Sequence, residues 1–286
     1  MSAHAEPLVR ARDVRPRVVI EPTRGWRSLR LGDVWTYREL LGFLVWRDLK
    51  VRYRQTLFGV LWVLIQPLAL MAVFSLFLGK LLHVKTGGVP YPVFAFSALV
   101  PWTLFSQSLT ASSQSLVINA NLLGKIYFPR LVLPISAAGS YVADFCISML
   151  LLLVLMGIYG VTPSVGVLLV PFFVLIVVTS AVGVGTLLTA INVRYRDVQS
   201  GIPLLVQLWL FASPIAYPVS LVPAAYQTVY AINPMVSVMQ GFRWALLGSA
   251  PPTAAQVGVS AAVAATACVA GVFYFRRTER TFADVI

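Results

Sequence analysis

Long stretches without a single charged side chain decide what this chain can become. No Asp, Glu, Lys or Arg occurs in residues 55–79, 86–124, 131–143, 145–193 (the run after Asp144), 198–242 or 244–275. An ionised side chain at the centre of a bilayer costs at least about 2.5–3.5 kcal/mol on insertion scales. Runs emptied of charge over this length are what that cost leaves in membrane-crossing helices. Composition agrees: 58% of the residues are hydrophobic and 11% are charged. A soluble domain carries roughly 25% charged residues to clothe its surface for water. Since a span needs about 20 apolar residues, the sequence predicts an all-α integral membrane protein with six transmembrane helices.

The charges crowd between these runs. Twelve Lys or Arg fall within residues 1–54. The formal net charge of +12 therefore reads as the positive-inside bias of membrane proteins, and no nucleic-acid partner is expected. Spans are predicted at about Leu57 to Leu82, Val93 to Leu116, Ile135 to Ile158, Val167 to Ile191, Gly201 to Ala216 and Thr253 to Phe275. The stretch Val198 to Phe242 is long enough for two crossings. A single one keeps Arg276, Arg277 and Arg280 on the basic side. Tyr217 to Gly248 then stays on the outer side. Its prolines and those just before it (Pro214, Pro218, Pro223, Pro234) cut it into short pieces. It is too apolar for a free loop, so it is expected to form short re-entrant helices packed back into the protein. On this topology both termini are cytoplasmic, and every basic residue except Lys80, Lys85 and Arg243 lies inside.

The divisions that follow are a cytoplasmic basic tail (1–34), an amphipathic interface helix (35–56), a transmembrane domain (57–275) and a cytoplasmic C-terminal tail (276–286). Within the domain, 119–134 forms an inner loop and 213–248 an outer segment. In the interface helix, Tyr37, Leu40, Leu41 and Leu44 recur at helical spacing. Farther on, Arg47, Lys50 and Arg54 share one face beside Trp46, Leu49 and Tyr53, with Asp48 and Arg52 between them. Such a helix is expected to lie in the membrane surface with its cations toward lipid phosphates. A basic juxtamembrane stretch that only fixes topology has the same pattern.

Catalytic chemistry is hard to place. A P-loop needs G-x-x-x-x-G-K-[ST] to cradle phosphates. Gly79-Lys80 and Gly124-Lys125 have Phe74 and Asn119 where the first Gly belongs, and neither Lys precedes Ser or Thr. The chain therefore has no such ATPase motif, and no metal or cofactor of its own is expected. Hydrolytic or transfer chemistry needs a cluster of acids, bases or His; the outer segment holds no acid and no His. Cys146 and Cys268 lack metal-ligand spacing and read as small hydrophobes. Asp144 is the only acid inside an apolar run. It is either a proton site, which would make the protein a proton-coupled carrier, or the partner of a neighbouring Ser or Tyr.

Aromatic and small polar residues remain. Trp62, Phe105, Trp209 and Phe211, with Ser106 and Gln107 in the polar run to Ser115, offer weak repeated contacts suited to a sliding sugar chain. Packing against lipid and neighbouring helices explains the same aromatics.

The segments "RDLKVRYRQTLFGVLWVLIQPL" (Arg47 to Leu68) and "NLLGKIYFPRLVLP" (Asn121 to Pro134) resemble the membrane subunit of ABC-2 type polysaccharide exporters. "NVRYRDV" (Asn192 to Val198), "SPIAYP" (Ser213 to Pro218), "NPM" (Asn233 to Met235) and the closing "TFADVI" follow in that family's order. The resemblance implies a homodimer working with two copies of a separate ATPase, which binds ATP and Mg, to move a lipid-linked glycan across a bacterial inner membrane. A drug or small-lipid exporter of the same superfamily is the close alternative. The resemblance also implies an ATPase-coupling helix in the inner loop, with Asn121, Lys125, Tyr127, Phe128, Pro129 and Arg130, and an outer gate with Pro214, Tyr217, Pro218, Asn233 and Pro234. Phe128 is expected to be exposed there as an anchor for the ATPase.

Overall fold

The computed structural model describes residues 31–54, 61–123, 128–195 and 197–279, and among these every regular element is a helix. In chain order they are α1 (Leu31–Thr36), α2 (Arg38–Arg54), α3 (Leu61–Phe74, continued by a π-helical stretch Ser75–Leu81), α4 (Tyr91–Ile118), α5 (Ala120–Leu123), α6 (Val132–Gly139) and α7 (Tyr141–Ile158). A 3₁₀ turn, Val165–Leu169, leads into α8 (Val170–Arg194), followed by α9 (Asp197–Phe211), α10 (Ala224–Tyr230), α11 (Pro234–Leu247) and α12 (Ala254–Thr278). Lys125, Tyr127, residues 1–30 of the tail and the closing "TFADVI" lie outside the described residues.

Five stretches are long and apolar enough to cross a membrane: Leu61–Leu81, Tyr91–Ile118, Val132–Ile158, Val165–Arg194 and Ala254–Thr278. They coincide with five of the predicted spans. α9 falls where another crossing is expected, but it has only 15 residues. At 1.5 Å per residue it extends about 22 Å, short of the roughly 30 Å hydrocarbon core. Beyond it the chain turns through Ala212–Tyr217 without helix.

α4 is the central post. Of its apolar window 78% is buried, against 6% for the first span, so the other helices wrap α4 while α3 stands at the edge. The polar run of α4 explains part of this. Ser108 Oγ donates to the Ala138 carbonyl (3.1 Å), Thr189 Oγ1 to the Ser112 carbonyl (2.7 Å) and Asn192 Nδ2 to the Ser113 carbonyl (3.1 Å). Hydrogen bonds of this kind tie helices where water cannot compete. Ser108, Ser112, Ser113 and Ser115 are buried; Ser108 binds helix to helix through its hydroxyl, and Ser112 and Ser113 do so through their backbone carbonyls. Ser106 and Gln107 are half-buried.

Apolar packing falls into separate clusters. The largest gathers Phe96, Leu99, Phe105 and Leu109 of α4 with Phe173 and Val177 of α8 and with Met235, Val238, Met239 and Phe242 of α11. A second joins Leu44 of α2, Leu116 at the end of α4, Phe128, Leu131 and Leu133, Val193 at the end of α8, and Phe275 at the end of α12. α2 and the C-terminal end of α12 therefore sit at one end of the bundle. The opposite end is marked by Tyr91 and Phe94 at the start of α4, packed against Phe74, Leu78 and Val84.

The prolines of the outer segment act as stops and starts. Pro218 and Pro223 precede the 3₁₀ turn Val219–Leu221 and α10, and Pro234 opens α11 at its first turn, where a missing N–H costs nothing. The Asn233 side chain caps α11 by accepting from the Met235 N–H. α11 is no loose loop: Met235, Val236, Val238, Met239 and Phe242 are fully buried. α11 is thus packed into the protein, whereas Leu221, Tyr226, Val229 and Ile232 in and around α10 are exposed.

Candidate functional site

Two regions gather the residues singled out in the sequence, one at each end of the bundle. At the first end, α2 departs from the expected surface helix. Arg47 and Arg52 turn into the protein instead of toward lipid phosphates. Arg47 Nη2 donates to Asp48 Oδ1 (2.8 Å) and to Asn119 Oδ1 at the end of α4 (2.9 Å). Arg52 Nη1 donates to Asp144 Oδ2 of α7 (2.7 Å), and its Nη2 to Ser140 Oγ (2.9 Å). The same guanidinium lies 3.8 Å from the centroid of the Tyr141 ring. The Tyr53 hydroxyl donates to the other Asp144 oxygen. Lys50, Arg54, Phe43, Trp46 and Val51 remain exposed. The physical reason is the buried carboxylate: a charge inside the bundle needs a counter-charge and donors, and α2 supplies both.

Asp144 therefore has a basic partner that its own helical run does not contain. Burial, then the hydrogen bond to Asp144 and the charge of that carboxylate, push the Tyr53 phenol well above its ordinary value, so it stays a donor. A carboxylate held by Arg52 and Tyr53 is suited to anchoring α2. Of the two expectations for Asp144, the hydrogen-bonded partner of a Tyr matches the Tyr53 contact, and Arg52 adds a basic partner that neither expectation included.

The inner loop is tied to the end of α12. Arg130 donates from Nη1 to the Glu279 carbonyl (2.8 Å), its N–H approaches Glu279 Oε1 (3.3 Å), and Arg276 Nη1 pairs with Glu279 Oε2 (3.1 Å). Phe128 is 6% exposed, inside the second apolar cluster. The expected exposed anchor is thus corrected: the ring packs on its own chain, and Pro129, Arg130 and Asn121 stay nearer the surface. Phe128→Ala should cost about 3 kcal/mol through the cavity it leaves. Thermal melting of the purified protein should fall together with any loss of coupling; an unchanged melting temperature would contradict this packing.

The second region surrounds the turn after α9. Trp209 Nε1 donates to Asn233 Oδ1 (3.0 Å), while Asn233 Nδ2 donates to the Ala212 carbonyl (3.1 Å) and to Ser213 Oγ (2.9 Å). The Tyr217 and Tyr230 hydroxyls are 2.8 Å apart. Pro214 is buried, and Tyr217 and Pro218 are half-buried. Beneath them lies Arg243 of α11, which the sequence marked only as a basic residue on the unexpected side. It is 3% exposed, and its guanidinium lies 3.6 Å from the Phe94 ring centroid. The one available signal was charge: Arg243 is the only Asp, Glu, Lys or Arg between Asp197 and Arg276.

The four path aromatics separate. Phe105 is fully buried, edge-on to Trp209 at 4.9 Å between ring centroids. It is a core residue of this chain, and half-buried Trp209 is its neighbour. Trp62 and Phe211 are exposed, as are Gln66 on α3 and Gln207 on α9. Polar side chains on the exposed face of an apolar helix avoid lipid. Those faces suit a protein neighbour or a watery path better than bilayer.

Residues 39–247 match the family described as ABC-2 type transporter. The chain is 34% identical over 256 residues to the O-antigen export system permease protein RfbA of Myxococcus xanthus, covering 89% of this chain and 98% of that one. A protein of the same name from Klebsiella pneumoniae is 31% identical over 207 residues, or 72% of this chain and 79% of that one. The Polysialic acid transport protein KpsM of Escherichia coli is 25% identical over 209 residues, with 70% and 78% covered.

Proposed function

The chain belongs to the ABC-2 type transporter family, and on that premise we propose that it is the membrane subunit of an exporter for a lipid-linked polysaccharide. The observation that carries this is the 34% identity across 98% of a protein named as an O-antigen export permease. The chain's own sequence fits a division of labour, because it contains no P-loop and the energy must come from a partner. Two copies of this chain form the conduit, and two ATPase subunits bind ATP and Mg at the end where α2, Asn121, Phe128 to Arg130 and the end of α12 meet. Lys125 and Tyr127 complete the coupling segment.

That end faces the cytoplasm of the cell, across its inner membrane. Arg47, Arg130, Arg194, Arg276 and Arg277 gather there, as the positive-inside bias requires. α9 and the turn after it make the fifth of six crossings, and α10 and α11 are re-entrant from the outer side. The exposed faces of α3 and α9, with Trp62, Gln66, Gln207 and Phe211, meet across the dimer and line the path with stacking surfaces and exchangeable hydrogen bonds. Trp209 and Phe105 support that wall from behind, with Ser106 and Gln107 close by. Pro214, Tyr217, Pro218, Asn233 and Pro234 belong to the outer gate.

Deletion of the gene should leave a lipid-linked glycan accumulating on the cytoplasmic side and deplete it outside, with recovery on complementation. The purified chain should capture an ATPase and hydrolyse no ATP alone. A deletion strain with a normal surface glycan and no internal accumulation would overturn the assignment.

A further inference from the structure

Every backbone carbonyl from Ala212 to Tyr217 accepts a hydrogen bond, and nearly all the donors are side chains from elsewhere. Ala212 accepts from Asn233 Nδ2 (3.1 Å) and the Tyr230 hydroxyl (3.1 Å). Ser213 accepts from the Ile215 N–H (2.8 Å). Pro214 accepts from Arg243 Nη1 (2.8 Å), Ile215 from Arg243 Nη2 (2.7 Å), and Tyr217 from Arg243 Nη1 (3.2 Å). Ala216 accepts from the Tyr91 hydroxyl (2.7 Å). One guanidinium therefore takes three of the six carbonyls, and all of its partners are backbone oxygens. No carboxylate among the described residues bonds it, although it is almost wholly buried.

A turn of this kind inside an apolar protein is costly unless its carbonyls are satisfied, and a buried cation is costly unless dipoles or charges face it. Here the two costs offset each other. The planar, forked donor set of Arg spans neighbouring carbonyls while its face lies on an aromatic ring, a geometry Lys does not reproduce. We propose that Arg243 is a positioning residue of the transporter: it seats the Ala212–Tyr217 turn on α4 and α11, and the seal at the outer end depends on it. The turn, α10 and the start of α11 then shift as one block when the exit opens, because Asn233 and Tyr230 fasten the same turn from the other side. Placing this turn at the outer exit rests on the export reading above.

The test uses the full chain with its ATPase in liposomes, and carboxyfluorescein trapped inside as the leak probe. With the amount of assembled complex held equal, Arg243→Met should raise the resting leak at least about tenfold, since losing one charged hydrogen bond shifts an open–closed balance by that much. Arg243→Lys should restore the seal in part. If Arg243→Met does not assemble, the double variant Tyr91→Phe/Tyr230→Phe decides. It deletes two carbonyl anchors, keeps both rings, and should leak more than the native protein. A purely structural role would lower assembly without changing leak per complex. Folded Arg243→Lys and double-tyrosine complexes as tight as the native one would overturn the proposal. Glycan export, measured separately, reports on the export reading: a native complex that moves no glycan while the variants leak would sink that reading and leave the role of Arg243 standing.

Discussion

Gly271→Leu should leave almost no folded protein in the membrane. Gly271 lies where α12 crosses α8, and a Cβ there would run into the Gly183 carbonyl oxygen and within 2.8 Å of Thr186 Oγ1. Gly183 is the reciprocal contact, since its own Cβ would stand 2.5 Å from the Cys268 backbone nitrogen. Both obstacles are largely backbone, which cannot rotate away. Helices in lipid gain little from the hydrophobic effect and depend on close approach for their attraction. Forcing them apart therefore removes the dispersion contacts of the whole seam and the helix–helix order that depends on it. Overpacking costs about 3 kcal/mol or more when backbone must move, and Gly271→Ala should show a smaller loss of the same sign. Yield and monodispersity on size exclusion, with thermal melting, measure it. Gly258→Leu on the same helix is the control, because no atom of another described helix lies within 4 Å of its Cβ position. Leucine is the better helix former at both positions, so a Gly258→Leu protein as damaged as Gly271→Leu would contradict the crossing as the cause.

The helices were legible in sequence because the bilayer forbids what would hide them. Charge is excluded from a span wherever the span sits, so the empty run 86–124 brackets Tyr91–Ile118, and the end of the run 145–193 marks the end of Val165–Arg194. Proline reads equally well: Pro218, Pro223 and Pro234 each stand at the start of an element. Which way a helix faces is another matter. In water, the buried side is the apolar one; in lipid, both sides are apolar, and periodicity loses its meaning. Phe105 and Phe211 look alike in sequence, yet one is fully buried and the other 66% exposed. The polar residues of α4 gave no better guide, since a serine facing a path and a serine bonding a neighbouring carbonyl have the same signature. Contacts between distant segments were hidden altogether. Arg52 and Asp144 are 92 residues apart, and a surface helix rich in cations gives no sign that one of them is spent inside the bundle. Arg243 failed for a related reason: its partners are backbone carbonyls, which every residue has.

Asp144→Ala should detach α2 from the bundle and lower the melting temperature of the purified protein. The carboxylate receives Arg52 at 2.7 Å and the Tyr53 hydroxyl, and it shares a small cavity with Thr103 and Ser148. Removing one partner of a buried ion pair strands the other, at a cost of about 3 kcal/mol or more. Among the described residues Arg52 would then keep only Ser140 and the Tyr141 ring, neither of which balances its charge. Asp144→Asn should be milder, because an amide oxygen still accepts from Tyr53 or Arg52 while the ionic part is lost. The exchange Arg52→Asp/Asp144→Arg should recover part of the stability, with Tyr53 left to find a new acceptor. The order of the variants separates an anchor from a proton carrier. For an anchor, stability follows native, then Asn, then Ala, and export per folded complex follows the docking of α2, read as protease resistance of the α2 segment. For a proton carrier, Asn and Ala abolish transport alike, and the Asn variant does so with α2 still docked. An Asp144→Asn protein that is fully stable, keeps α2 protected and yet exports nothing would overturn the anchor and return Asp144 to proton chemistry.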